Sequence, residues 1–290
     1  MRVGVVILPQ FDRAETCARW KALEDMGFAS GWTYDHLAWR ELVDEPWYGT
    51  VPTLAAAAFA TERLRLGTWV LSPNFRHPVV VAKDLMTLDE LSGGRIVAAV
   101  GAGGLGWDSA VLGQPPLSPK QLMDRLIEFV TLSDLLLRQP VTSWSGDWFS
   151  AVDARMIPGC VQRPRLPLVV ASSGPRGIRF AAAAGDGWAT HGPPGVTTQD
   201  EWWAGLTRQV SVLDEALDGH RIERYLSIDG GPLLSMRSED SFVDAAGRAA
   251  ALGFDEVVAH WPRESLRFVG DPAVLEQVAG QLDGTGHIRL

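Results

Sequence analysis

One histidine–carboxylate neighbour pair ends an apolar run in this chain, Asp35-His36, and it is the first candidate for proton transfer. An imidazole with an ordinary pKa of about 6.5 can give a proton, take one or donate a hydrogen bond near neutral pH. Adjacent residues at a strand end point to opposite sides, so one of the pair can face a cofactor while the other faces substrate. A second feature is Ser172-Ser173-Gly174-Pro175-Arg176-Gly177, set between an apolar run and a helical pattern over residues 178–184. Small residues with free N–H groups at a helix start, two hydroxyls and a guanidinium suit a phosphate; an ordinary N-cap serine is the plainer alternative. The third is Gly101-Ala102-Gly103-Gly104-Leu105-Gly106-Trp107. Its Gly101-x-Gly103-x-x-Gly106 spacing matches a dinucleotide fingerprint by letter only. Trp107 and Pro115-Pro116 follow where a helix should open, and the acidic candidate Asp124 falls on a helical pattern. A loop kept bare, so that a ring or tail can approach the backbone, is the better reading.

These features need a frame, and the hydrophobic pattern supplies one. Short apolar runs at residues 3–8, 30–34, 64–71, 95–100, 168–171, 187–190, 226–236 and 256–261 alternate with helical patterns from end to end. Among the helices, residues 51–61 are alanine-rich, Val81, Leu85 and Leu88 share a face after Pro78, and Leu122, Leu126, Phe129, Val130 and Leu137 share another. Residues 138–167, with four prolines and two tryptophans, read as an irregular excursion. Strict alternation implies a parallel sheet, as a closed barrel or a doubly wound open sheet. In either, the site lies beyond the C-terminal ends of the strands. Trp39, Trp47, Trp69, Trp107, Trp188 and Trp261, six of the twelve tryptophans, fall at that end and predict a flat-walled apolar pocket. We assign Trp39, Trp107, Trp188, His191 and Trp261 to the substrate pocket, with His191 and His260 as the far-rim alternatives to His36 for proton transfer.

Composition narrows the function classes. With 290 residues, 46% hydrophobic and 21% charged, the chain can bury a large core without staples, and no linker or internal repeat divides it. Cys17 and Cys160 show neither disulfide nor zinc spacing, and the six histidines contain no H-x-H or HExxH pair, so no metal is expected. A net charge of −9 without a Lys/Arg block argues against nucleic acid. No apolar run approaches the roughly 18 residues of a membrane span, and a cytoplasmic location is expected.

Taken in order, the residues resemble the luciferase-like monooxygenase superfamily, including its branch dependent on coenzyme F420. The resemblance rests on three stretches. One is Leu66-Gly67-Thr68-Trp69-Val70-Leu71-Ser72-Pro73 through Arg76-His77-Pro78 to Thr87-Leu88-Asp89-Glu90-Leu91-Ser92-Gly93-Gly94-Arg95 and Gly101-Ala102-Gly103; another is Met26-Gly27-Phe28 to Asp35-His36-Leu37; the last is Ser173-Gly174-Pro175 to Gly185-Asp186-Gly187-Trp188. It implies a single (β/α)₈ TIM barrel over residues 1–290, with irregular insertions at its C-terminal face, and a homodimer. It further implies a non-prolyl cis peptide at Trp69-Val70 beneath a flavin or deazaflavin ring. Asp35, Trp69, Val70, Ser72, Gly101 and Gly103 would then surround the ring, and Ser172, Ser173, Gly174, Pro175 and Arg176 the cofactor phosphate. His36 matches the family's strand-two histidine, which the resemblance implies is catalytic, as a proton carrier or an electrostatic partner. The function implied is F420-dependent hydride transfer to or from a small organic substrate. The alternatives are an FMN-dependent monooxygenase fed by a partner flavin reductase, and a flavin-binding protein without catalysis. One departure stands out: Gly104 occupies the place where related F420-dependent sugar-phosphate dehydrogenases carry a glutamate. The lysines Lys21, Lys83 and Lys120 fall on helical patterns, so a sugar phosphate is not the expected substrate.

Overall fold

Each apolar run becomes a strand because its side chains have two hydrophobic surfaces to fill. On the first strand, Val3, Val5 and Ile7 pack outward with the helices, while Val6 and Leu8 join a separate cluster inside the sheet. That period of two, apolar on both faces, is the mark of a parallel strand covered on both sides. The computed structural model describes residues 1–103, 107–264 and 266–290. Its elements in chain order are β1 (Arg2–Val6), α1 (Arg13–Asp25), β2 (Ser30–Thr33), α2 (Thr50–Ala60), β3 (Arg65–Leu71), α3 (Pro78–Ser92), β4 (Ile96–Gly101), α4 (Trp107–Val111), α5 (Pro119–Arg138), β5 (Val141–Ser145), β6 (Ser150–Arg155), β7 (Leu168–Ala171), α6 (Pro175–Ala184), β8 (Gly187–Thr190), α7 (Gln199–Leu217), β9 (Glu223–Ser227), α8 (Glu239–Ala251), β10 (Glu256–His260) and α9 (Pro272–Gly280).

Eight of these strands form a closed parallel barrel in the order β1-β10-β9-β8-β7-β4-β3-β2. β1 closes it, pairing with β2 on one side and with β10 on the other, where Val6 stands opposite His260. The barrel is a TIM barrel, as the resemblance implied. Its interior is filled by Trp32, Trp69 and Tyr225, with Trp32 edge-on to both neighbours at 5.0 and 5.6 Å. The outer layer is locked by local chemistry. Buried Glu24 at the end of α1 accepts the N–H groups of Glu62, Arg63 and Leu64, fixing the turn that enters β3. Ser118 and Gln121 form a capping box at the start of α5, the longest helix described. Among the described residues, no helix is long and apolar enough to cross a membrane.

Two stretches differ from the sequence reading. Residues 138–167 are not wholly irregular, since β5 and β6 pair as an antiparallel hairpin. Their burial alternates with exposure, and Val152 is exposed, so the pair lacks the continuous apolar run that identifies a barrel strand. The strand expected over residues 226–236 is shorter and earlier: β9 ends at Ser227, and 3₁₀ turns at Ile228–Gly230 and Ser235–Arg237 follow. The two glycines and the proline there break the ladder.

Candidate active site

The C-terminal ends of β2, β3 and β4 converge, and the glycines of the sequence reading explain how. Trp69-Val70 is a non-prolyl cis peptide, at the position the resemblance implied. The pairing of β3 with β4 shifts register between Thr68 and Leu71. Gly101 accommodates this: a Cβ there would come within 2.7 Å of the Val70 side chain. Gly103 has φ +70, and a Cβ on it would strike Asn74 and the Ser72 hydroxyl. Gly104, Leu105 and Gly106 lie outside the described residues.

His36 stands just past β2, and its partner comes from across this bare loop. Its Nδ1 lies 2.8 Å from Asp108 Oδ2, while Asp108 Oδ1 accepts the Leu37 N–H at 2.7 Å. The carboxylate is buried at 2% exposure; the imidazole keeps 21%. With Nδ1–H given to Asp108, the neutral ring presents Nε2 as an acceptor, and no partner holds that nitrogen among the described residues. The Trp47 indole donates to the His36 carbonyl and fixes the backbone beneath the ring. Asp108 is absent from the sequence reading. The fingerprint test asked only for an acidic residue ending the next strand, whereas this one opens a five-residue helix after the glycine loop.

Asp35 points elsewhere. It is fully buried, its two oxygens accept from Arg76 Nη2 at 2.7 Å and Nε at 3.2 Å, and Oδ2 also accepts the Ser72 N–H. Where the resemblance implied a residue facing the cofactor ring, the structure shows a buried bidentate ion pair that ties β2 to the turn after β3. Ser72 is buried as well, its hydroxyl accepting from the Asn74 N–H.

Beside β4, past the end of its neighbour β7, Gly174 caps α6 and Pro175 is its first residue. A Cβ on Gly174 would meet nothing within 4 Å, so the space before this helix start is open. The Ser173 hydroxyl contacts Thr190, and Ser172 reaches back to the Gly174 carbonyl. Arg176 is exposed and turned toward Asp124 at 2.5 Å, so its guanidinium does not cover the turn.

The tryptophans divide. Trp39, Trp47 and Trp69 belong to the interior cluster at the mouth, with Trp39 stacked on Phe268 at 6.0 Å and edge-on to Tyr34 at 5.2 Å. Trp188 does not line the pocket. It is fully buried on the outer face of β8, stacked on Phe254, with its indole N–H given to the Ser172 carbonyl. Trp261 turns the same way, packing with the outer core beneath the Arg19 guanidinium. Trp107 is 44% exposed, and His191 is exposed beyond β8. His260 is sealed: Phe268 stacks on it at 3.4 Å, Nε2 meets the Tyr34 hydroxyl at 2.8 Å, and Nδ1 meets Asp229 at 3.0 Å.

Residues 1–202 match the family model described as luciferase-like monooxygenase. An F420-dependent glucose-6-phosphate dehydrogenase of Amycolatopsis mediterranei (strain U-32) is 35% identical over 57% of this chain and 49% of its own length, so the chain spans about half of that relative. A 4-hydroxyprotoasukamycin monooxygenase of Streptomyces nodosus subsp. asukaensis is 33% identical over 88% of this chain and 67% of its own. Among solved structures, the coenzyme F420-dependent tetrahydromethanopterin reductase of Methanopyrus kandleri superposes with a TM-score of 0.77, 16% identity and 99% coverage of both chains, a likeness of fold. The family model spans more than half of the sequence: the chain belongs to the luciferase-like monooxygenase family.

Proposed function

We propose that the chain is an oxidoreductase that holds coenzyme F420 at this mouth and moves a hydride between it and a small organic substrate. The observation that carries the reading is the His36–Asp108 pair beside the bare Gly101–Gly103 segment. The residues present fit such a group. The glycines leave the β4 end without side chains, and the open start of α6 offers N–H groups and the Ser172 and Ser173 hydroxyls to a phosphate. Bound F420 supplies a carbon that donates or accepts hydride. The chain does the rest: Trp69, Val70, Gly101 and Gly103 form the floor, Trp39 and Tyr34 exclude water, and His36 Nε2 takes or gives the proton that hydride transfer displaces. Asp108 holds that ring in the acceptor tautomer. Since β1 and β10 pair, we assign residues 1–290 to one domain, and we expect a cytoplasmic homodimer.

The F420-dependent relatives favour deazaflavin. The Streptomyces nodosus relative aligns over more of this chain and is named a monooxygenase, which favours a second reading: reduced FMN delivered by a partner reductase, with oxygen as co-substrate. Titration of the purified protein separates the two. F420 binding in the micromolar range or tighter, with FMN weaker, supports the first. FMN binding tenfold more tightly, or oxygen uptake with reduced FMN, replaces it with the second.

A further inference from the structure

We propose that the cavity between the β3–α3 turn and the β5–β6 hairpin binds an oxyanion, a carboxylate or phosphate borne on a flat apolar body, with Arg125 as its counter-charge. The cavity measures about 500 Å³ and is lined by Arg125, by the turn at residues 73–77 and by Trp148 and Phe149 of the hairpin. Arg125 is 6% exposed. Among the described residues no carboxylate pairs with it; Nη2 donates to Asn74 Oδ1, and Nε, buried, has no partner. The fold treats its other buried arginine fork differently: Arg165, at 5% exposure, holds both Asp134 and Asp186. A buried guanidinium without an anion is costly, and its desolvation is recovered only when a negative group arrives. Burial accordingly pushes the Arg125 pKa down, with no acidic neighbour opposing it.

The surroundings are built around that charge. Glu128 stands three residues further along α5, on the same helix face, and is the carboxylate one would expect to neutralise Arg125. Its oxygens instead accept the N–H groups of Asp147, Trp148 and Phe149 and the Trp144 indole. Gly146 makes room for this clamp, since a Cβ there would overlap the Glu128 carboxylate. The clamped turn sets the Trp148 ring 5.9 Å from the Arg125 guanidinium. A ligand that offers an anion to Arg125 thus meets aromatic faces with its remaining atoms, which selects an aromatic or otherwise flat acid over a free inorganic ion. Asn74 links this cavity to the proposed active site. One end of its amide meets Arg125 and the other donates to the Gly103 carbonyl at 2.6 Å. The proposal goes beyond the F420 reading and requires no cofactor.

The test uses the purified full chain and two probes, sodium benzoate and sodium phosphate, against chloride at constant ionic strength. Calorimetry and tryptophan fluorescence should show saturable benzoate binding, tighter than phosphate. Arg125→Met should weaken benzoate at least tenfold while melting no lower than wild type, because an unpaired buried charge has been removed. Arg125→Gln is the second variant, judged by the same two criteria. Absence of saturable benzoate binding, retention of binding in either variant, or a melting temperature lowered by more than about 5 °C in both overturns the proposal, the last because the arginine then serves the fold. A competition arm finds the source of the anion: displacement of benzoate by F420 places the cofactor's own acid in the cavity, and simultaneous binding of both reserves it for a separate acid. Loss of F420 binding alone, with benzoate binding intact, defeats the proposed function and leaves this site standing.

Discussion

Asp108→Asn tests the central pair by changing two atoms' worth of chemistry and almost no volume. The wild-type carboxylate accepts twice, from His36 Nδ1 at 2.8 Å and from the Leu37 N–H at 2.7 Å, and it is nearly inaccessible to water. An amide has one acceptor end. The backbone N–H cannot reorganise, and leaving it buried and unpaired costs about 1–3 kcal/mol, so the amide oxygen goes to Leu37. The amide NH₂ then faces Nδ1, which must become an acceptor, and the imidazole proton moves to Nε2. The nitrogen that should take a proton now carries one. General acid–base help is worth roughly 10²–10⁴-fold, which corresponds to about 2.7–5.4 kcal/mol of barrier, and that is the expected loss of turnover. Stability should fall by only about 1 kcal/mol, roughly 2–4 °C in melting temperature for a chain of this size. Long-range ¹H–¹⁵N spectra of the histidine side chains read the tautomer without any substrate, and steady-state rates follow once a substrate screen succeeds. If the variant keeps the Nδ1–H tautomer, or turns over at the wild-type rate with the tautomer inverted, the pair is not what positions the catalytic proton.

Ser173→Asp puts negative charge at the open start of α6, and F420 affinity measured by fluorescence titration should fall at least tenfold, about 1.4 kcal/mol; unchanged affinity in a folded variant removes this turn from the cofactor site. Trp188→Ala empties a fully buried position on the outer face of β8. It should cost about 3–5 kcal/mol in denaturant unfolding while ligand affinity per folded molecule stays near normal. Asp35→Ala leaves the partly buried Arg76 without its bidentate partner and should cost about 3 kcal/mol, read by the same unfolding curves. Burial pushes the His260 pKa below its ordinary value. The unfolded chain therefore takes up this proton first as pH falls through about 6.5, and stability, full above that pH, declines toward lower pH. Melting temperatures between pH 8 and 5 should show the decline, and His260→Gln should flatten it.

The parts of this fold that the sequence displays are those governed by continuous apolar runs. A barrel strand buried on both faces must be apolar throughout, so β1, β3, β4 and β7 stand out, and the alternating helices follow. The same property conceals direction. In a run such as Gly187-Trp188-Ala189-Thr190 every residue is buried, and nothing local says whether Trp188 or Ala189 points inward. A one-residue change of parity moves a side chain from pocket to outer core. The structure puts Ala189 inside and Trp188 outside. The glycines were legible as a bare loop, but Asp108 stands 72 residues from His36, and its pairing depends on a loop path that no periodicity encodes. The hairpin was hidden for the opposite reason, since it covers a rim with little apolar area and its residues alternate like a surface loop.

Two histidine–aspartate pairs flank the barrel mouth, and their chemistry on paper is the same. What separates them is valence. In the His260 pair, Nδ1 faces Asp229 and Nε2 faces the Tyr34 hydroxyl, whose burial raises its pKa and keeps it a donor. Asp229 accepts in turn from the Ser235 backbone and hydroxyl, and Phe268 lies flat on the imidazole. Every donor and acceptor of that ring is satisfied by the protein, so nothing remains for a ligand, and the network serves to fix the loops after β9 and β10. In the His36 pair, one nitrogen is anchored and the other is open, the ring is partly exposed, and the neighbouring β4 end lacks side chains. A histidine–carboxylate pair is therefore a sign of catalysis only when one imidazole nitrogen is left over. By that criterion His36 keeps the ring nitrogen that the proposed proton transfer requires, and His260 is a strut.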